Sequence, residues 1–221
     1  KLNLSGIIES GDDAEFPGGE ILPSEYERQR YDIGYGLKMG DHSLQFNYGY
    51  NDTGESGTAA LPMDIDYFEG DIYDVSYRFE RPGELEVVAA VFASDLDHGM
   101  TNYKLRTAPD DKSGWRQNIA TSENLGFRLH STLTDARGSW VFGFDGLEST
   151  HDSNIDNPNN PMFFVVNFND AERQVLGAFL ERNHDIIARW RGVFGLRYTE
   201  VKTDAGEVDG TPAMMMTPAQ M

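Results

Sequence analysis

The chain has 221 residues, of which 37 are acidic and 18 are basic, and its net charge is -19. This charge repels the phosphates of nucleic acids, so no nucleic-acid partner is predicted. The absence of Cys excludes disulfides and thiolate chemistry within the chain, and no run of 18 apolar residues could form a membrane-spanning helix.

The first half of the chain places apolar residues at every second position, which is typical of β-strands with one apolar face. No signal peptide begins the chain, so we expect the natural N-terminus to lie upstream. Turn residues between two alternating segments indicate hairpins. The predicted strands here are residues 1–9, 31–39, 43–50, 73–80 and 84–94, with tight turns at Gly40-Asp41 and Pro82-Gly83.

The second half repeats this scheme. Predicted strands cover residues 125–130, 140–144, 173–182 and 190–198, with turns at 135–138 and 183–185. Polar segments rich in Gly, Asn and Pro are predicted to be long loops. These loops are residues 52–64, 97–121 and 152–165, and a loop-like tail covers residues 204–221.

The connections between the roughly nine predicted strands alternate between short and long. Outer-membrane barrels segregate loop length in this way, with short turns at one end and long loops at the other. The prediction is an all-β fold, an antiparallel up-and-down transmembrane β-barrel segment of about 8–9 strands from an incomplete barrel. Its outward, lipid-facing side chains should include Tyr31, Tyr35, Phe46, Tyr48, Tyr73, Tyr77, Phe194 and Tyr198.

One pair of residues suggests a metal site. His98 and Met100 are two positions apart, so their side chains share one side of an extended chain, with Gly99 between them. Imidazole and thioether together suit copper. Both residues are predicted to lie in the loop after a strand, where Asp95 and Asp97 could attract a cation. A weaker metal-like pair is His151 with Asp152.

The methionines strengthen the copper hypothesis. Seven of the eight are predicted in loops or the tail, where they gain no packing benefit unless the loops fold over one another. They are Met63, Met100, Met162, Met214, Met215, Met216 and Met221.

Several segments resemble TonB-dependent outer-membrane receptors. They are residues 62–67, 97–103, 168–172, 180–183 and 195–199. The resemblance implies a barrel of about twenty-two strands filled by an N-terminal plug, located in the bacterial outer membrane and powered by the TonB system. Residues 1–221 would be part of the barrel domain, with the plug and the remaining strands absent.

The His98-Gly99-Met100 segment and the tail 210–216 resemble the copper-receptor branch of that family in particular. In that branch a His-x-Met pair from the barrel joins a Cys and a Met from the plug to bind one copper ion. The resemblance therefore implies His98 and Met100 as metal ligands in a transporter that is not an enzyme.

The implied partners are outer-membrane lipid and lipopolysaccharide, the TonB system acting through the missing plug, and copper or a metal chelate. Two alternatives stay open. One is a receptor of the same architecture for a siderophore or another nutrient, and the other is a soluble β protein or adhesin.

Overall fold

The computed structural model describes residues 1–187 and 189–211. These residues form one antiparallel sheet in which nine long strands follow each other in chain order. The strands are β1 (Leu2–Gly11), β4 (Tyr26–Met39), β5 (His42–Thr53), β6 (Asp64–Arg81), β7 (Leu85–Thr101), β8 (Gln117–Asp135), β9 (Gly138–Asp156), β10 (Phe164–Ile187) and β11 (Trp190–Asp204).

Three further short strands accompany this sheet. β2 (Ala14–Phe16) and β3 (Gly19–Ile21) form a separate hairpin in the connection between β1 and β4, and β12 (Asp209–Gly210) pairs with β10. A single 3-10 turn covers Lys112–Gly114. No helix among the described residues is long and apolar enough to cross a membrane. The predicted fold class, with about nine strands in next-neighbour order, is confirmed.

Strict up-and-down order places the connections at two ends. One end, the short-turn end, carries connections of two or three residues at 40–41, 82–84 and 136–137. The other, the long-loop end, carries residues 54–63, 102–116 and 157–163. Gly83 has a φ of 75°, a conformation that glycine adopts without steric cost, so the Pro82-Gly83 turn ends β6 where it was predicted.

The predicted boundaries were wrong in two places. The long loops are shorter than expected because β7, β8, β9 and β10 continue beyond the apolar part of the sheet. The last turn does not lie at residues 183–185, because β10 runs to Ile187 and His184 pairs with Gly138 and Gly192 inside the sheet. Paired backbone groups keep these polar residues extended although their side chains give no strand signal.

The sheet has an apolar face without a hydrophobic core beneath it. No hydrophobic side chain among the described residues is buried. The pairing register puts all eight predicted outward residues on this one face, and seven are exposed while Tyr48 packs half-buried on Tyr73. A soluble sandwich would bury this face against a second sheet, so the arrangement supports a barrel wall.

The apolar face ends abruptly towards the long-loop end. Along β7 the outward residues from Leu85 to Ala93 are apolar, and the next outward residue is Asp95. Asp71 and Glu123 flank Asp95 on the neighbouring strands. The apolar stretch of β7 is about nine residues long, as a tilted strand needs to cross the hydrocarbon core. The row of carboxylates therefore marks the edge of the apolar band.

Asp64 fastens two long loops together beyond this edge. Its carboxylate is 1% exposed and accepts two hydrogen bonds of 2.6 Å from the Arg106 guanidinium and one of 2.8 Å from the Thr58 N–H. Burial raises the pKa of Asp64, but the hydrogen bonds from Arg106 and Thr58 more than offset this, so its pKa lies below the ordinary 3.8. The contact joins residues 54–63 to residues 102–116.

The Arg106→Gln variant is expected to open these two loops without unfolding the barrel. It leaves a buried, unpaired carboxylate, which costs about 3 kcal/mol locally. Faster cleavage by chymotrypsin at Tyr103 and Trp115 would report the opening. Arg191→Gln is the control, because its pair with Asp185 is exposed at the opposite end of the sheet. Equal cleavage in both variants would contradict the proposed role of the pair.

The same contact should depend on pH. Because the folded-state pKa of Asp64 is lowered, its stabilisation is present above its ordinary value of 3.8 and is lost as the pH falls through the lowered value. Protection from hydrogen exchange in residues 54–63 and 102–116, relative to the intrinsic exchange rate at each pH, should therefore stay high above pH 3.8 and fall only below it.

Candidate metal centre

His98 and Met100 lie in the last residues of β7 and not in a loop. His98 pairs with Phe68 of β6 and Ala120 of β8, and Met100 pairs with Ile65 and Asn118. Successive side chains of a strand point to opposite faces, so both residues are on the polar face, opposite to Val91 and Ala93. His98 is five residues beyond Ala93, about 17 Å along the strand and outside the apolar band.

Gly99 has a different role from the one predicted. It lies on the opposite face from His98 and Met100, and a Cβ atom at this position would come within 2.2 Å of the Tyr67 ring. Glycine is therefore required so that Tyr67 can cover the backbone of β7. The pairing of β6 with β7 also shifts between Ile65 and Tyr67, which makes Asp66 an extra, bulged residue opposite the candidate ligands. Such bulges re-aim neighbouring side chains.

The His98 imidazole is held in a dry position. The ring of Phe68, its partner on β6, meets it edge-on with centroids 5.8 Å apart and an angle of 68°. Its Nε2 atom is buried and has no hydrogen-bond partner among the described residues. Burial lowers the pKa of His98 from its ordinary 6.5. The ring is therefore neutral at physiological pH, in the form that binds metals, with a free nitrogen.

The two acidic neighbours do not share this surface. Asp95 and Asp97 alternate with His98 and lie on the opposite face, where Asp97 pairs with Glu69. Asp95 and Asp97 are therefore not placed to attract a cation to His98 and Met100, contrary to the expectation from the sequence. Any cation held by His98 and Met100 would meet neutral nitrogen and sulfur ligands from this strand, which suits a soft ion better than a hard one.

The weaker pair, His151 with Asp152, does not form a site. The two side chains lie on opposite faces of β9, and the Asp152 carboxylate accepts a 2.8 Å hydrogen bond from the Asp170 N–H. Within residues 1–187 and 189–211 there is also no group of three or more His, Cys, Asp or Glu that could hold a metal ion. A complete site around His98 and Met100 therefore needs ligands from elsewhere.

The other methionines are spread out. Met63 is half-buried at the end of the 54–63 loop, and Met162 is 75% exposed in the 157–163 loop. Met214, Met215, Met216 and Met221 lie outside the described residues. Among the methionines of the described residues, only Met100 has a histidine two positions away on the same face of its strand.

A cleft of about 600 Å³ adjoins His98 on the polar face. Phe68, Leu96 and Ala120 form its apolar part, and His151 and Arg173 add polar groups. Sequence reasoning missed this cleft because its lining comes from six strands. Phe68 also escaped notice, since it precedes the clear alternation of residues 73–80 and takes its role only from pairing with His98.

The chain belongs to the TonB-dependent receptors. Residues 5–218 match the family model described as "TonB dependent receptor-like, beta-barrel". This is a receptor family and not a class of enzymes, and its barrels lie in the outer membrane. The apolar face of the sheet is accordingly the lipid-facing side, the short-turn end is periplasmic and the long-loop end is extracellular.

A solved structure supports the same fold. The chain superposes on the copper transporter OprC with a TM-score of 0.81 and 22% sequence identity, over 96% of this chain and 35% of that one. At this identity the likeness establishes the fold alone. The chain thus spans about a third of that protein's length. A search of curated proteins gives no match.

Proposed function

We propose that the protein containing this chain is a TonB-dependent outer-membrane transporter that binds and imports copper ions. Residues 1–221 would be part of its barrel domain, and a plug domain outside this chain would fill the barrel and engage the TonB system. His98 and Met100 would be the barrel's two ligands to the transported ion. Outer-membrane lipid and lipopolysaccharide would surround the apolar face.

The observation that carries this proposal is the free, buried Nε2 of His98. A buried polar atom without a partner among the described residues is costly, and a bound ion is one group that would satisfy it. Met100 is on the same face two residues away, so a thioether can reach the same ion. The similarity to a copper transporter agrees with this donor set.

This site would be half of a coordination sphere. One imidazole and one thioether suit the cuprous ion, and no cluster of three His, Cys, Asp or Glu among the described residues completes the site. The resemblance to the copper branch assigns that part to a Cys and a Met of the plug. Isolated residues 1–221 should therefore bind copper weakly.

Metal analysis of the full-length protein, purified from cells grown with copper and iron, tests the proposal. The expected result is one copper ion per protein and copper uptake that stops when the TonB system is inactivated. Purification with bound iron, or uptake of iron chelates without copper binding, would overturn it.

A second candidate is a receptor for a metal chelate or another small nutrient. The cleft beside His98 favours it, since its volume lies in the range that accommodates small organic ligands. In that case metal-free protein would still bind the organic ligand, and substitution of Met100 would have little effect on uptake.

A further inference from the structure

We propose that His151 is a second imidazole ligand that takes over the copper ion from Met100 as the ion moves from the extracellular end towards the periplasm. This inference rests on the proposed function. It starts from the polar face of the sheet, where His98 and His151 line the same cleft.

The pairing register fixes their relative positions. His98 is opposite Ala120 of β8, and His151 of β9 is opposite Ser122 of β8. Ala120 and Ser122 are two residues apart on one strand, so all four side chains share the polar face. In a flat sheet the Cβ atoms of His98 and His151 would be about 12 Å apart. Barrel curvature brings inward-pointing side chains closer than that.

The three candidate ligands follow one another along the sheet. Met100 is nearest the long-loop end, and His98 is two residues further towards the short turns. His151 is level with Leu96, another two residues in the same direction. An ion that enters from the extracellular side and moves inward would meet a thioether, then one imidazole, then a second.

The surroundings of His151 leave its ring accessible to an ion. The side chain is exposed on the polar face, and its neighbour Asp152 is turned away and bound to the Asp170 N–H. Arg173 is on the same face as His151, whereas Glu172 and Asp204 pair with each other on the opposite face. The cleft is therefore not a cation trap, and selectivity must come from the imidazole nitrogen ligands.

The transfer itself is a ligand exchange. The bond between copper and the Met100 sulfur breaks as a bond between copper and a His151 nitrogen forms, while His98 stays bound. No electron is transferred, so no oxidant or reductant is needed. Imidazole tolerates both oxidation states of copper, so the second position holds the ion less selectively than the thioether does.

The experiment uses the full-length receptor in its outer membrane, with radioactive copper as the probe. His151→Ala should slow copper uptake by about tenfold, as expected when a barrier rises through the loss of one ligand. Equilibrium copper affinity should stay within about twofold of the wild type, because the resting ion is held upstream. His151→Met should restore uptake, since it returns a copper ligand to the same position.

His130→Ala is the matched control. His130 is also on the polar face, but it is level with Val88, about 27 Å further along the sheet and away from the cleft. Its replacement should change neither uptake nor binding. A wild-type protein that binds no copper would refute the proposed function itself.

Two other results would overturn the present inference while leaving the proposed function intact. The first is wild-type uptake by His151→Ala. The second is a loss of resting affinity in His151→Ala as large as that in His98→Ala, which would make His151 a ligand of the first site.

Discussion

Alanine at both His98 and Met100 is expected to abolish tight copper binding by the full-length protein while leaving its barrel assembled. Removing even a supporting partner of a metal ligand typically costs up to about 100-fold in affinity, so loss of two direct ligands should exceed that. Each single variant should show a part of the effect. Competition with a chromophoric copper chelator and metal analysis would measure it.

The barrel should tolerate these substitutions for a structural reason. Both residues lie outside the apolar band, and their strand is held by backbone pairing with β6 and β8 on both sides. Neither side chain belongs to a packed core, since none exists among the described residues. A loss of copper should therefore occur without a change in resistance to unfolding.

A matched control replaces a histidine and a strand methionine elsewhere. His130 is on the polar face of β8, and Met39 is 65% exposed at the last residue of β4. The His130→Ala/Met39→Ala variant removes the same two kinds of ligand and should keep full copper affinity. If the His98→Ala/Met100→Ala variant also kept full copper affinity, the assignment of these residues as copper ligands would be wrong. A receptor for a metal chelate would then be the better interpretation.

The second large effect concerns the face of the sheet that contacts lipid. Val75→Arg should destabilise the full-length barrel by about 2–4 kcal/mol, the cost of a basic side chain near the bilayer midplane. Val75 is 42% exposed on the apolar face of β6 and lies between Phe46 and Val91, inside the apolar band. Its substitution would put a charge into hydrocarbon.

Ser76→Arg supplies the control one residue away. Ser76 is on the polar face of the same strand, between Gln45 and Ala90, where a charged side chain can meet water or polar neighbours. Urea unfolding in lipid vesicles should separate the two variants, with only Val75→Arg losing stability. A larger loss in Ser76→Arg would mean that the faces are assigned the wrong way round, and equal losses would mean that the face of Val75 is not specifically the lipid-facing one.

Much of the wall of this barrel could be predicted from the sequence. Apolar residues such as Tyr31, Ile33 and Tyr35 alternate with polar ones because only one face of each strand meets lipid. Turns such as Pro82-Gly83 interrupt that alternation at regular points. Strand number, next-neighbour order and the lipid-facing side follow from these local signals, and they needed no knowledge of the neighbouring strands.

The site depended on the tertiary structure. Beyond the apolar band both faces are polar, so alternation stops and the ends of β7 and β10 could not be recognised. Pairing with neighbouring strands keeps His98 extended there, and it sends Asp97 to the opposite face.

The sequence by itself determined the barrel wall and nominated His98 with Met100, since these features depend on residues close together in the chain. Only the tertiary structure decided that Phe68 desolvates His98 and that His151 shares its cleft. The physical reason is that the register between strands, which brings distant residues together, is set by backbone pairing across the whole sheet.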